Sequence, residues 1–283
     1  MKITTATLAE NSASWLKLLA EWGLSILVQV DDTTVLMDTG RSSVAAHNAQ
    51  LMNIDLSGLD TIVFSHGHED HTGGLLHLLR LRNLPDKPVR IIAHPDVWSS
   101  KCWRSPDGNR YEPIGIPYSR AEAEKLGASF ELSAEPVWIT ESIVTSGEVP
   151  MVTDFEAIDD NACVQDHQHV TQDLLADDLS LFIKTPKGLF VVSGCAHRGI
   201  VNTIERGLTL TGCTEVFAVI GGIHLFGADE RRLEQTIGAL RRYDVQRLGV
   251  SHCTGQLPAA RLAREFGDRF FFNSAGTTTE FTV

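Results

Sequence analysis

Cysteine is scarce in this chain and does not form a pattern that would support disulfide bonds. The cysteines are odd in number and include no C-x-x-C pair; they are Cys102, Cys163, Cys195, Cys213 and Cys253. Small secreted domains depend on paired cysteines, so a disulfide framework is not expected here. This cysteine usage fits a protein of a reducing compartment.

Long apolar runs are also missing from the sequence. Residues 1–10 alternate like a strand and lack the continuous apolar region of a signal peptide. No later stretch approaches the roughly 20 apolar residues that cross a membrane. We therefore expect a cytoplasmic protein without a membrane partner.

A chain of 283 residues with 43% apolar composition can bury a large core, and we expect a single domain, 1–283.

Positive charge is in short supply. The chain has 24 Lys and Arg against 36 Asp and Glu, a net charge of −12, which disfavours nucleic acid as its main partner. The whole imbalance lies between Lys125 and Lys184, where twelve acidic residues occur without one Lys or Arg. A solvated acidic surface is the simpler interpretation of this stretch, and a site for a specific partner is the alternative.

Histidine, in contrast, is concentrated where it can bind metal. The run SHGHEDHTGG at 65–74 directly follows an apolar, strand-like segment. Imidazole and carboxylate groups suit zinc, with iron or manganese as alternatives. On a turn that leaves a strand, His66 and His68 can point one way while Asp70 and His71 address a second ion. The motif therefore predicts two divalent metal ions; a histidine-rich loop without ligands is the simpler alternative, but its buried polar groups would need other partners.

Three further apolar strands each end in residues that can bind metal. One leads into Cys195 and His197, the next into His224, and the last into His252. Open sheets place their chemistry at the carboxyl ends of their strands. We therefore expect these side chains to meet the histidine-rich run at one edge of the fold.

Two sites with three ligands each follow from this arrangement. The predicted sets are His66, His68 and His197 for one ion, and Asp70, His71 and His252 for the other. Three ligands leave each ion an open position for water or substrate, as catalytic metals require. Asp70 would also orient the nucleophile. His224 would then bind substrate or donate a proton, and its use as a seventh ligand is the alternative.

These motifs resemble those of the metallo-β-lactamase superfamily, in which H-x-H-x-D-H follows a D-T-G segment, here 38–40. Within it, the chain most resembles the group typified by 7,8-dihydropterin-6-methyl-4-(β-D-ribofuranosyl)aminobenzene-5'-phosphate synthase. The similarity covers nearly the whole chain, through motifs at 10–11, 20–25, 38–40, 65–74, 147–150, 194–202, 221–225 and 252–255.

The resemblance implies an α/β fold, an αββα sandwich of the metallo-β-lactamase type. It also marks Cys195, Asp178 and Asp38 as additional ligands or as residues around the ligands. For Cys195, a place in the core is an equally good interpretation. Arg41 and Arg198 adjoin presumed site motifs and could bind an anionic group of the substrate, although a solvated position is the alternative for each.

The order strand, turn, strand, helix, strand occurs in both halves of the chain, which suggests two related halves. Between them, residues 99–177 are rich in Gly, Pro and polar residues. Long irregular segments inside a domain are usually functional or mobile, so we predict a cap over the metal site. The aromatic residues Trp98, just before the segment, and Trp103 and Tyr111 within it could stack a flat substrate ring or anchor the segment to the core.

The sequence thus predicts a dinuclear-metal-dependent hydrolase or transferase. The resemblance suggests a phosphorylated, pterin-like or nucleotide-like small molecule as its substrate, because two metals can activate water and stabilise a phosphate leaving group. A diiron oxidoreductase on the same scaffold and a metal-binding sensor without turnover are the alternatives. Diiron relatives usually carry Glu between the motif histidines, where this chain has Gly67. The sequence indicates no oligomeric state.

Overall fold

The computed structural model describes residues 1–84, 86–166 and 169–283. The strands are β1 (Lys2–Ala9), β2 (Ser25–Val30), β3 (Thr33–Met37), β4 (Thr61–Val63), β5 (Val89–Ala93), β6 (Lys101–Arg104), β7 (Tyr111–Pro113), β8 (Ala128–Leu132), β9 (Ile143–Thr145), β10 (Ala162–Asp166), β11 (His169–Gln172), β12 (Ser180–Thr185), β13 (Gly188–Ser193), β14 (Val216–Gly221), β15 (Arg247–Val250), β16 (Phe270–Phe272) and β17 (Thr278–Thr282). The α-helices are α1 (Val44–Leu51), α2 (Glu69–Thr72), α3 (Leu75–Arg82), α4 (Arg120–Lys125), α5 (Ile200–Thr211), α6 (Glu230–Arg242) and α7 (Gln256–Phe266).

Two mixed sheets form the body of the protein. The first has the strand order β17-β1-β2-β3-β4-β5-β8, and the second has the order β16-β15-β14-β13-β12-β9. The repeated strand, turn, strand, helix, strand unit is β2-β3-α1-β4 in the first half and β12-β13-α5-β14 in the second. The predicted αββα sandwich is confirmed.

The apolar residues fall into three layers that explain this architecture. In β12, Leu181 and Ile183 pack between the two sheets, while Phe182 faces the helices on the outside. In β13, Phe190 and Val192 belong to the same inner layer. Strands buried on both faces are apolar throughout, which is why these segments stand out in the sequence as short apolar runs.

Helices cover the outer face of each sheet. The stripe Leu233, Ile237 and Leu240 on α6 is buried with the core of α5 and α7, as its helical period predicts. On the other side, α3 contributes Leu75 and Leu78 to the layer beneath α1 and α4. Of the helices in the described ranges, none is both long and apolar enough to cross a membrane.

The topology gathers strand ends at one edge of the sandwich. Strands β3, β4 and β5 run parallel to one another, and so do β13, β14 and β15. Their carboxyl ends therefore share an edge within each sheet. Strand β12 runs antiparallel to β13, with Ser180 opposite Ser193, so β12 begins at the edge where β13 ends.

The predicted cap segment, 99–177, needs a correction in its extent. Strand β8 pairs with β5 and β9 pairs with β12, so both belong to the main sheets. The strands β11-β10-β6-β7 form a separate third sheet. These strands are short, and β7 is exposed along its length, so they leave little hydrophobic period in the sequence. A covering role for the third sheet stays a prediction.

Phe190 offers a test of the inner layer. Its ring is fully buried and lies edge-on to Phe281, with 5.1 Å between ring centroids. We expect Phe190→Ala to lower the free energy of unfolding by about 3–5 kcal/mol, because the cavity cannot close between two sheets. Phe272→Ala, at a ring that is 57% exposed, should cost less than about 1 kcal/mol. Chemical denaturation of both variants measures the difference, and equal losses would contradict this layer assignment.

Candidate metal centre

The histidine-rich loop leaves β4 and turns directly into α2. His68 has an extended backbone (φ −75°, ψ 147°) and caps α2, which begins at Glu69. Gly67 has no room for a side chain, because a Cβ there would lie 2.2 Å from the carbonyl oxygen of Val97. The loop is therefore packed tightly against the segment that follows β5, and its histidines point to the opposite side.

The first set of predicted ligands lies together. His66 Nε2 is 2.9 Å from His68 Nδ1 and 3.1 Å from His197 Nε2. All three ligand atoms lie within 4.8 Å of one another, and all three residues are buried. Burial lowers the pKa of His68 to about 3 and holds the pKa of His66 and of His197 well below the usual value. The three rings are therefore neutral at pH 7, as metal ligands must be.

The second set forms a similar group beside the first. His252 Nε2 lies 3.3 Å from His71 Nε2 and 3.3 Å from Asp70 Oδ2. The distance from His71 Nε2 to Asp70 Oδ2 is 4.0 Å. These ligand atoms also fit within 4.8 Å of one another. His252, which follows β15 of the second sheet, thus lies beside the loop that follows β4 of the first sheet.

Asp38 fixes the orientation of this loop. Its Oδ1 accepts a hydrogen bond from the backbone N–H of Ser65 at 2.7 Å, and its Oδ2 accepts one from the Ser65 hydroxyl at 2.7 Å. His71 Nδ1 lies 2.7 Å from the same Oδ2. Ser65 Oγ is in turn 2.8 Å from His66 Nδ1. With Nδ1 engaged in both rings, Nε2 of His66 and of His71 is directed into the site.

Glu10 and Asn11, which follow β1, orient the histidine from the second half. Asn11 Oδ1 lies 2.8 Å from His252 Nδ1, and Glu10 Oε1 accepts a hydrogen bond from the His252 backbone N–H at 2.7 Å. The ring N–H of Nδ1 therefore points at Asn11, and Nε2 faces Asp70. Sequence reasoning did not assign these residues to the site, although the motif at 10–11 was a signal for them.

The second group of ligands suits a cation. When His71 Nδ1 donates to Asp38 and His252 Nδ1 donates to Asn11, two Nε2 lone pairs and a carboxylate oxygen face one another. Burial would lower the pKa of His71, but the carboxylates of Asp38 and Asp70 outweigh it and raise that pKa to about 9. Such a site needs a positive charge at its centre, either a proton or a metal ion, and the donor set is one that divalent zinc, iron or manganese accepts.

Cys195 lies between the two groups. Its Sγ is 3.2 Å from His71 Nε2, and it forms a third candidate group with His66 and His71. Burial raises the pKa of its thiol, and a metal ion would counter that effect. This position fits a residue that binds or bridges the ions, one of the two roles that the sequence left open.

Asp178 and Asp38 differ in how many of their carboxylate oxygens are already hydrogen-bonded. Both oxygens of Asp38 are already hydrogen-bonded, so it supports ligands from behind. Asp178 Oδ2 accepts a hydrogen bond from the backbone N–H of Arg198 at 2.9 Å, whereas its buried Oδ1 has no hydrogen-bond partner within the described ranges. Burial raises the pKa of Asp178 to about 7. An unpaired carboxylate oxygen at this edge is free to face an ion or a substrate hydroxyl.

His224 also reaches the site, next to His197. Their ring centroids are 4.2 Å apart, and His224 can join Cys195 and His197 in a candidate metal group. Its Nδ1 is buried and has no hydrogen-bond partner among the residues that the structure describes. This position allows His224 either to bind an ion or to contact a substrate.

The guanidinium groups of the two arginines that were predicted to bind an anion already have protein partners. The Arg41 guanidinium forms an ion pair with Glu69 at 2.5 Å, and half of its side chain is exposed. Arg198 donates a hydrogen bond from its guanidinium to the carbonyl oxygen of Leu174 at 3.2 Å. A role for either in binding substrate stays a prediction.

A buried ion pair, which the sequence did not suggest, supports the loop from the third sheet. Lys101 Nζ on β6 lies 2.6 Å from Asp173 Oδ2 and 2.9 Å from Asp177 Oδ1. The other oxygen of Asp177 accepts a hydrogen bond from the Gly67 backbone N–H at 2.8 Å. The third sheet is therefore joined to the histidine-rich loop through charged contacts.

Comparisons with known proteins find similarity over nearly the whole chain. The family model described as the metallo-beta-lactamase superfamily matches residues 23–175. The chain is 33% identical to the 7,8-dihydropterin-6-methyl-4-(beta-D-ribofuranosyl)-aminobenzene-5'-phosphate synthase of Methanocaldococcus jannaschii, over 97% of this chain and 95% of that protein. It is 32% identical to an uncharacterized protein of the same organism, over 91% and 93%. A crystal structure described as a metal-dependent hydrolase of the beta-lactamase superfamily has a TM-score of 0.83 at 26% identity, covering 99% of this chain and 100% of that one.

Asp38→Asn tests the support of the second group. Asn tolerates the positive φ of 59° at this position, but the variant loses the charge that orients His71. We expect metal affinity to fall about 10–100-fold, measured by competition with a chromophoric chelator. Asp31→Asn is the matched control, since Asp31 also has a positive φ, of 48°, and accepts a backbone hydrogen bond far from the site. Equal affinities in the two variants would contradict the role of Asp38.

Proposed function

The chain belongs to the metallo-β-lactamase superfamily, and on that premise we propose that it is a dinuclear-metal-dependent hydrolase or transferase. We propose His66, His68 and His197 as ligands of one ion, and Asp70, His71 and His252 as ligands of the other. The observation that carries the proposal is the pair of adjacent groups in which six ligand atoms face inward. Cys195 lies between them, as a residue shared by two ions would.

The proposed substrate is a phosphorylated, pterin-like or nucleotide-like small molecule. Support comes from the Methanocaldococcus relative, whose name specifies its product, a dihydropterin joined to a ribofuranosyl aminobenzene phosphate. The similarity to that relative extends over nearly all of both chains. The site motifs of the two proteins can therefore be compared along the whole length. The net charge of −12 fits a small-molecule substrate better than a nucleic acid.

Each side chain has a task in this proposal. Two divalent ions would supply Lewis acidity at a phosphoryl oxygen and stabilise the departing phosphate. Asp70 is partly exposed, at 15% of its side chain, and can orient an attacking hydroxyl while its other contacts hold His252. His224 borders the first group and can donate a proton to the leaving oxygen. Asp178 can accept a hydrogen bond through its unpaired oxygen.

The packing at Gly67 disfavours the diiron alternative. A glutamate between the motif histidines would place its Cβ 2.2 Å from Val97 O and 2.9 Å from the Lys101 side chain. The loop would have to move away from β6 to accept it. The chain thus lacks the ligand that diiron relatives usually carry and has no space for it.

Metal content of single variants tests the ligand assignment. We expect His68→Ala and Asp70→Ala each to lose one ion per chain, because each removes one of three ligands from a different group. His77→Ala, at an exposed histidine on α3, is the control and should keep both ions. Elemental analysis of dialysed protein gives the count, and phosphate release from pterin and nucleotide phosphates gives the activity. Two ions retained with unchanged affinity in both ligand variants would refute the assignment, and a wild type without turnover would favour a sensor.

A change at His224 separates its two roles. The residue has a positive φ of 46°, so His224→Asn is preferable to alanine because Asn tolerates that backbone. If His224 is the proton donor, kcat should fall by roughly 10²–10⁴ with two ions still bound. Metal content and turnover must be measured on one preparation. Loss of an ion would instead make His224 a ligand.

A further inference from the structure

A cavity of about 960 Å³ opens beside the second group of ligands. His252 and Asn11 form one part of its wall, and the aromatic rings of Trp22 and Phe226 form another. Pockets of this size bind small molecules through apolar walls and a few polar groups. Among the proposed ligands in the described ranges, His252 alone lines the cavity, which therefore borders the candidate metal centre at that residue.

The backbone that directly follows Trp22 is held by the histidine-rich loop. The backbone N–H of Leu24 donates to the carbonyl oxygen of Asp70 at 3.1 Å, and that of Gly23 lies 3.4 Å from Asn11 Oδ1. Gly23 must be glycine, since a Cβ there would lie 2.6 Å from the same Asp70 oxygen. The backbone next to Trp22 is thus packed against a proposed ligand of the second ion.

Phe226 is anchored to the other side of that ion's site. Its backbone N–H donates to the carbonyl oxygen of Cys253 at 2.9 Å, next to His252. Its ring meets Trp22 edge-on, with centroids 5.9 Å apart and planes at 75°. Trp22 also lies against the His252 ring, with centroids 4.9 Å apart. Two aromatic residues from distant loops therefore form one preorganised corner.

Large parts of this corner remain uncovered. Trp22 is 47% exposed and Phe226 is 67% exposed, although both backbones are fixed. Leu257 and Phe272, also in the wall of the cavity, are 85% and 57% exposed. In contrast, Trp98, one of the aromatics that the sequence suggested for stacking, is partly buried against the core, with its ring centroid 5.2 Å from that of Phe130. Exposed aromatic surface beside a polar site is typical of a surface that binds a ligand.

We propose that Trp22 and Phe226 bind the planar ring of the phosphorylated substrate, while its phosphate lies at the metal ligands. This inference rests on the proposed function and adds the residues that select a ring-bearing substrate. Aromatic side chains stack on heteroaromatic rings with little loss of freedom when they are already fixed. The ring would enter along the wall that includes His252, which places its attached phosphate towards Asp70.

Direct binding tests the proposal without turnover. Metal-loaded protein is titrated with 6-hydroxymethylpterin, a ring without phosphate, and Kd is measured by calorimetry. We expect Trp22→Ala to raise Kd about 5- to 150-fold, the range for losing one stacking contact. Trp22→Phe should recover most of the affinity. Trp15→Ala is the matched control, because Trp15 lies on the same loop, is 72% exposed and is outside the cavity wall.

Several outcomes would overturn the proposal. One is a wild type that does not bind the pterin, and another is an equal Kd for wild type and Trp22→Ala at two ions per chain. A third is a Trp22→Ala variant that changes from dimer to monomer in sedimentation with unchanged pterin affinity, which would assign this face to a second copy of the chain. Failure of phosphate release with pterin binding intact would instead refute only the proposed function.

Discussion

The candidate site depends on the hydrogen bonds that the buried carboxylate of Asp38 forms. A carboxylate without partners would be very costly in this interior, but this one accepts hydrogen bonds from both the backbone and the hydroxyl of Ser65 and contacts His71. These contacts connect the end of β3 to the loop after β4. They also determine which nitrogen of each ring is free. The geometry of His66 and His71 is therefore a consequence of one acidic side chain behind them.

Two sheets are needed to complete the site. The first sheet supplies the loop with His66, His68, Asp70 and His71, and the second supplies Cys195, His197 and His252. Asn11, from the first half of the chain, orients His252 of the second half. Any shift of one sheet against the other would separate ligand atoms that now lie about 3 Å apart. The apolar layer between the sheets, centred on residues such as Phe190, thus maintains the distances of the polar site.

Local patterns in the sequence predict many of the strands and helices of the fold. Short apolar runs predicted the strands around 61–64, 189–193 and 216–220 because these strands are buried on both faces. The period of α6 predicted its buried stripe. The third sheet was missed, and 99–177 was interpreted as irregular, because β7 and its neighbours are short and exposed. Such strands are stabilised by pairing with residues far away, which leaves no period to detect.

The amino-acid sequence alone is enough to identify the superfamily and the sandwich fold and to predict two sets of candidate ligands, since ligand type and spacing after a strand are local properties. The tertiary structure alone decided which groups surround them. Asn11 and His252 are 241 residues apart, Lys101 and Asp177 are 76 apart, and Trp22 meets Phe226 across the sandwich. It likewise decided that Arg41 pairs with Glu69 and that Trp98 packs against the core. Contacts of this kind arise from how the two sheets pack, and no local pattern of residues encodes them.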